Sequence, residues 1–462
     1  MSTIVALATG ENLAAIALIR LSGDRAHPLI SQFFSPKRPL EKLPSRRALF
    51  GDWVVAGHSL DQVIVTLFTA PHSYTGEAMA EITCHGSPYI VQTLIRALID
   101  AGATPAQPGE FTYRAYSNGK LDLSQAEAVG ELIHSRNEHQ HRLALQQLSG
   151  ALSAQIETLR AQLLELTALV ELEIDFSDQD VEFVPRTQLS ELATRLHTEI
   201  AALRGTFRQG NAIRQGLSVT IAGAPNAGKS TLLNALLREE RAIVSDIPGT
   251  TRDTIEGELQ LKGITIRFTD TAGLRETEDP IERLGIERAL NRLQGGIFSF
   301  LLVDAVVLRK YTDWKEIDTL LAHLAPNAVP LLLLTKADLL SAAERDALLM
   351  RVTGSYPNTS VVLWGAGTGL GEAEVWAWLE DHVAAYLPTA TGFVITHERH
   401  YRALLAAEEE IQLLETAIVQ GLTPDLLAHH LRQINAHLAS ITGEIAPAEV
   451  LKTIFGKFCI GK

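Results

Sequence analysis

The chain has 462 residues, 46% of them apolar and 20% charged. That is too long for one ordinary core and suits about two to four folded domains. Its formal net charge is −14, from 54 acidic and 40 basic residues, whereas a protein that holds nucleic acid by a broad basic face is normally positive, which constrains any RNA contact to be local, transient or shared with a partner without excluding it. Two cysteines, Cys84 and Cys459, make no disulfide framework, and no Cys/His cluster has zinc-ligand spacing. No apolar run reaches the roughly 18 residues that span a bilayer, so a cytoplasmic protein with free thiols and no membrane contact is expected.

Along residues 1–118, short β-like runs ("TIVALAT", "AIALIRLSG", "QVIVTLFTA", "AMAEITCHG") alternate with one strong helical run, "SPYIVQTLIRALIDAG", which reads as a compact α/β or α+β domain. From 119 to 215 apolar residues recur at helical spacing with almost no Gly or Pro, predicting long packed helices. At 216 the texture changes to strand and helix alternation that lasts to 380: "LSVTIAG", "GITIRFTD", "FSFLLVDAV", "VPLLLLT", "SVVL". Such alternation implies a mainly parallel sheet with helices on both faces. Residues 381–462 turn helical again, so the economical reading is one helical domain, 119–215 with 381–462, interrupted by an inserted α/β domain, 216–380.

"GAPNAGKS", Gly223 to Ser230, fits the pattern GxxxxGK[ST] and lies between a predicted strand and a predicted helix. Its glycines let backbone N–H groups close on phosphates, Lys229 brings an ammonium to the β and γ oxygens, and Ser230 offers a hydroxyl to Mg²⁺. "GTTRD" follows, with Thr250 and Thr251 both able to reach the metal, and then "DTAG", where Asp270 can hold the metal through water and the Gly273 N–H can touch the γ-phosphate. "TKAD", Thr335 to Asp338, ends in a carboxylate suited to the N1–H and amino group of guanine, so the nucleotide is GTP. Thr335 stands where Asn is usual, and "WGAG", Trp364 to Gly367, replaces the common SA-containing loop. Leu274 occupies the place of the glutamine that orients water in Ras-like proteins. Another group is needed there, and Glu276, Glu278, Asp279 and Glu282 are the candidates.

The phosphate loop "APNAGKSTLLNAL", "AIVSDIPGTTRD", "DTAGLRE", "PGEFTYRAYSNGKLDLSQAEAV" and the terminal "FCIGK" together resemble the tRNA modification GTPase family MnmE (TrmE), from Thr3 to Lys462. The resemblance implies a multidomain α/β and all-α fold: an N-terminal α+β domain that binds folate and dimerises, a helical domain, and an inserted Ras-like P-loop GTPase domain. It also implies a homodimer and a heterotetramer or larger complex with an FAD-dependent MnmG/GidA-like partner. Acting on tRNA, the family places an aminomethyl or carboxymethylaminomethyl group at position 5 of the wobble uridine, with a tetrahydrofolate derivative as one-carbon source.

The GTP-contacting set carried over by position is Asn226, Ala227, Gly228, Lys229, Ser230, Thr231, Ser245, Asp246, Ile247, Pro248, Gly249, Thr250, Thr251, Asp270, Thr271, Ala272, Gly273, Thr335, Lys336, Ala337 and Asp338. Ser230 and Thr251 fall at the Mg²⁺ positions, and Asn226, Ser245, Ile247 and Thr250 at those of a K⁺ ion that replaces an arginine finger. Glu282 matches the family's water-orienting acid, and Arg20, Glu81, Lys120 and Lys462 fall on its folate pocket. Cys459 matches a thiol needed for modification but not for GTP hydrolysis, as nucleophile, acid or base. Two stretches depart from the family pattern: "TGENLAA" stands where PPGRGG is usual, and "SYTGEA" puts Ala78 where an aspartate is usual. The competing reading is a regulatory GTPase switch in ribosome assembly, against which stands the lack of a GXXG clamp in a plausible setting.

Overall fold

In the strand His58–Phe68, Val63, Val65 and Leu67 are buried while Gln62 and Ile64 are exposed, the period of two that a sheet covered on one face requires. The structure, a computed structural model, describes residues 2–10, 12–38, 45–175, 185–238, 255–270, 296–311, 314–387 and 394–461. These form two units, one of residues 1–135, 141–202 and 402–462, the other of 136–140 and 203–401.

The first unit holds seven strands: β1 (Ile4–Leu7), β2 (Ile16–Ser22), β3 (Phe34–Pro36), β4 (Ala48–Val55), β5 (His58–Phe68), β6 (Met79–His85) and β7 (Thr104–Pro105). Their order is β3-β4-β5-β6-β2-β1-β7, antiparallel except for the β1–β7 pair. Helices Ala26–Phe33 and Pro88–Asp100 contribute Leu29, Ile30, Leu94 and Leu98 to a core shared with Ile19, Leu21, Trp53, Ile82 and Cys84. Burial, and then the charge of Asp61, push the Cys84 thiol up to about 11, so it stays protonated at neutral pH. The β2–β6 register sets Ala17 opposite Cys84 and Arg20 opposite Glu81. Because side chains alternate along a strand, Arg20 and Glu81 fall on the face away from that core.

Helix Leu123–His134 opens on a capping box, Asp122 accepting from the Gln125 N–H while Gln125 accepts from the Asp122 N–H. The 25-residue helix Ala151–Asp175 packs along Pro424–Thr442, and Arg160 ties it to that segment by donating to Asn435 (3.0 Å) and to both carboxylate oxygens of Glu444. Gly443 closes the second helix in the left-handed region at φ +88°, and its carbonyl accepts from the Tyr116 hydroxyl at 2.5 Å. The chain then forms helix Ala448–Phe455.

The second unit is built on β8 (Leu217–Gly223), β9 (Ile255–Leu261), β10 (Ile264–Asp270), β11 (Phe298–Asp304), β12 (Val329–Thr335) and β13 (Ser360–Leu363). The order is β13-β12-β11-β8-β10-β9, parallel except for β9–β10. The near-continuous apolar runs "FSFLLV" and "LLLL" are buried because parallel strands are covered on both faces. Since β8 lies between β10 and β11, the chain order reverses beside it, and the crevice at the carboxyl end of β8 is where such sheets bind ligands.

Candidate functional site

The phosphate loop leaves β8 at that crevice and runs into helix Lys229–Arg238. Gly223 passes so close to β11 that a Cβ there would lie 2.4 Å from the Leu302 carbonyl oxygen. Asn226 and Gly228 take positive φ, +61° and +94°, which wraps the backbone into a cradle whose N–H groups and helix N-terminus favour an anion. Lys229 is 9% exposed, and its Nζ donates to the carbonyls of Gly223 (2.9 Å) and Ala224 (3.0 Å), across the same loop. Ala227 is buried beneath, while Ser230 and Thr231 are exposed at the start of the helix. A narrow backbone cradle, one ammonium and an exposed hydroxyl fit a nucleoside triphosphate with Mg²⁺.

The base-recognition loop starts where β12 ends. Thr335 is fully buried and donates to the Val303 carbonyl at 3.2 Å. Lys336 bends back in the left-handed region, φ +55°, and its ammonium donates to Asp304 at 2.7 Å. Burial works against ionisation of Asp304, but the Lys336 hydrogen bond and the N–H groups of Val307 and Val306 prevail and lower its pKa. The half-buried Asp338 lies in the short turn Ala337–Leu339 beside Gly365, where a Cβ would come within 3.0 Å of its carboxylate. The two departures from the common motifs meet at the phosphate loop: a Cβ on Gly228 would stand 3.8 Å from the Trp364 ring and 3.9 Å from Thr335 Cβ. Thr335 and Trp364 therefore wall the loop together.

Replacing the Asp338 carboxylate by an amide converts an acceptor of two hydrogen bonds into one donor and one acceptor. Asp338→Asn is accordingly expected to weaken GTP by about 100-fold, two charge-assisted bonds at about 1.5 kcal/mol each, and to improve xanthosine triphosphate relative to GTP. Competition binding with the two nucleotides measures this, and an unchanged preference for GTP would remove Asp338 from base recognition.

Asp270 ends β10 with its backbone registered against Ile221 of β8, beside the phosphate loop. Ser245, Asp246, Ile247, Pro248, Gly249, Thr250, Thr251, Thr271, Ala272, Gly273 and Glu282 lie outside the described residues, as does Lys462. Two supporting carboxylates have no motif to announce them. Asp304 anchors Lys336, and Glu316, in helix Lys315–Ala322, accepts from the Ala224 N–H. Burial raises the pKa of Glu316, helped by the charge of Asp304 and opposed by that N–H. The sequence signal for Asp304 is a lone acid closing the apolar strand "FSFLLVD".

A second cluster lies in the first unit. Arg20 donates to Glu81 from Nε (3.1 Å) and from a terminal nitrogen (2.8 Å), and its guanidinium stands 5.5 Å from the ring centroid of Tyr74 and 5.8 Å from that of Phe111. Its remaining nitrogen reaches the carbonyl of Gly461 at 3.5 Å. Gly461 is buried, with φ +93° and no room for a Cβ, which would sit 2.2 Å from the Leu7 carbonyl oxygen. The end of the chain is thus seated on the N-terminal sheet, with Cys459 exposed two residues earlier. Lys120 packs its stem beside the Gly76 turn, where a Cβ would be 3.4 Å away. A guanidinium between two aromatic rings, with a carboxylate at hand, fits a flat heteroaromatic ligand bearing both donors and carboxylates. Sequence spacing did not single out Tyr74 or Phe111.

Among the described residues no helix is long and apolar enough to cross a membrane, and no group of three His, Cys, Asp or Glu is placed to hold a metal. The family described as "GTP-binding protein TrmE N-terminus" matches residues 3–120, and that of the "MnmE helical domain" residues 123–459. The tRNA modification GTPase MnmE of Christiangramia forsetii is 42% identical over 469 residues, covering 100% of this chain and 99% of that protein. Its counterpart in Parabacteroides distasonis is 41% identical over 472 residues, covering 100% of each. Of solved structures, Aquifex aeolicus Era bound to GDP.AlF4− is 24% identical and covers 42% of this chain and 67% of its own, with a TM-score of 0.28. The G domain of the T. maritima FeoB iron transporter is 23% identical and covers 37% of this chain and 98% of its own, with a TM-score of 0.25. Matched across its whole length by relatives above 40% identity, and by both family domains in order, the chain belongs to the MnmE (TrmE) family of tRNA modification GTPases.

Proposed function

We propose that this chain hydrolyses GTP to drive the addition of an aminomethyl or carboxymethylaminomethyl group at position 5 of the tRNA wobble uridine, as a cytoplasmic homodimer working with an FAD-dependent, MnmG-like partner. Residues 1–118 bind the folate and dimerise, 216–380 form the G domain, and 119–215 with 381–462 form the helical domain. One observation carries the reading: a single chain holds both a phosphate loop walled by its base-recognition loop and a terminal segment seated beside Arg20 and Glu81.

In the G domain, Lys229 neutralises the β and γ oxygens, the loop N–H groups orient them, Asp338 selects guanine, and Glu282 holds the attacking water that Leu274 cannot. Mg²⁺ at Ser230 and Thr251, and K⁺ at Asn226, Ser245, Ile247 and Thr250, supply positive charge to the phosphates when bound. In the N-terminal domain, Arg20, Lys120 and Lys462 pair with carboxylate or formyl oxygens, and Glu81 accepts from ring N–H donors. The folate, when bound, supplies the one-carbon unit. Cys459, exposed two residues before Gly461, is the thiol that would act on that unit as nucleophile, acid or base.

Cells lacking the chain, rescued with wild type or with Glu282→Ala, test this by nucleoside mass spectrometry of total tRNA. Wild type is expected to restore the aminomethylated wobble uridines. Glu282→Ala is expected to bind GTP normally, lose about 100-fold or more in turnover, and restore nothing. Unchanged turnover in the variant removes Glu282 from the reaction. Normal tRNA without the chain, in cells with no second modifying system, overturns the modification reading in favour of the ribosome-assembly switch.

A further inference from the structure

The terminal segment is held by more than its last residues. Phe455 is 5% exposed and meets Tyr113 edge to face at 5.3 Å between ring centroids, with Tyr116 at 6.2 Å and Phe458 at 5.8 Å. Leu123 and Ala126, from helix Leu123–His134, complete this cluster. Two glycines face the segment from across the chain. A Cβ on Gly109 would lie 2.5 Å from the Phe455 carbonyl oxygen, and one on Gly130 would lie 3.2 Å from the Phe458 ring.

Gly109 has a backbone reason to be glycine, since it opens its helix at φ +70°. Gly130 has none of that kind. It stands inside helix Leu123–His134 without a positive φ, where glycine costs about 1 kcal/mol relative to alanine. What its missing side chain admits is the ring of Phe458, the residue directly before Cys459. We propose that Gly130 is a positioning residue for the modification reaction: it seats Phe458 and thereby, with Arg20 holding Gly461, fixes Cys459 at the N-terminal domain. This rests on the role given above to Cys459, and the two are separable by experiment.

Gly130→Leu fills the seat with a better helix former, so the helix itself is not weakened. In the full-length variant, trypsin cleavage after Lys452 and Lys457 is expected to rise about tenfold or more as the segment undocks. Modification of tRNA, assayed with the partner flavoprotein, falls in parallel, while GTP hydrolysis and the melting temperature hold. Adding Phe458→Ala, which makes room for the new leucine, restores both protection and modification, and a merely structural role would give no such rescue. Unchanged proteolysis in Gly130→Leu overturns the seat. Faster proteolysis with full modification leaves the segment docked by Gly130 but overturns the positioning of Cys459 as a requirement of the chemistry.

Discussion

Lys229→Ala is expected to abolish GTP turnover and to weaken GTP by at least about 100-fold, measured by titration with a fluorescent GTP analogue and by phosphate release. In the structure the ammonium is nearly buried and already aimed across the loop, 2.9 Å and 3.0 Å from two of its carbonyls. Little side-chain ordering therefore remains to be done when phosphates arrive, and most of the charge-assisted interaction appears as affinity. One such bond contributes about 1.5–3 kcal/mol, and a loss of about 3 kcal/mol corresponds to roughly 100-fold in binding. Turnover suffers further, because the ammonium also meets charge that develops on the leaving oxygens. The substitution favours the helix that starts at this position, since alanine is the stronger helix former, so unfolding does not account for the loss. Lys229→Arg is expected to fare little better, as a broad planar fork cannot occupy a place walled by the loop's own carbonyls. Wild-type hydrolysis by Lys229→Ala would show that the loop does not hold the reacting phosphates.

What the sequence makes readable follows distance along the chain. In the second sheet β8, β11 and β12 are apolar runs ending in Gly, Asp and Thr, and the phosphate and base-recognition loops follow β8 and β12 directly, so local pattern suffices to find them, while β9, "IEGELQL", carries no such run. In the first sheet, β1, β2, β5 and β6 stand out by their apolar content, while β4 does not, because Gly51 and Asp52 interrupt it. Glycine is required there, since a Cβ would fall 2.3 Å from the Ser35 carbonyl on β3, a constraint that exists only once the strands have paired. The Arg20 cluster joins residues 61 and 441 positions apart, and no spacing rule reaches that far. Only the family resemblance points to it. Asp304 and Glu316 are harder still: each is an ordinary acid by sequence, and only the folding of β11 and helix Lys315–Ala322 beside the loops gives it a partner.

Cys459→Ser is expected to leave GTP hydrolysis within about twofold of wild type and to reduce tRNA modification by about 100-fold or more, the scale on which loss of a reacting group registers. The separation follows from the fold. Cys459 belongs to the unit that contains the N-terminal sheet, whereas the phosphate loop belongs to the other, and the residues given to the two sites do not overlap. Serine keeps the size and the hydrogen-bonding capacity of the side chain but is a far weaker nucleophile and acid at neutral pH. The result therefore discriminates chemistry from packing. A second measurement uses the contrast between the two thiols. Cys84 is buried and its thiol is pushed up to about 11, so at pH 7 an alkylating reagent in the native protein reaches the exposed Cys459 and spares Cys84. Alkylation of wild type should then reproduce Cys459→Ser, with modification lost and hydrolysis kept, and Cys84→Ser should be alkylated and inactivated in the same way. If Cys459→Ser modifies tRNA normally, the thiol takes no part in the reaction.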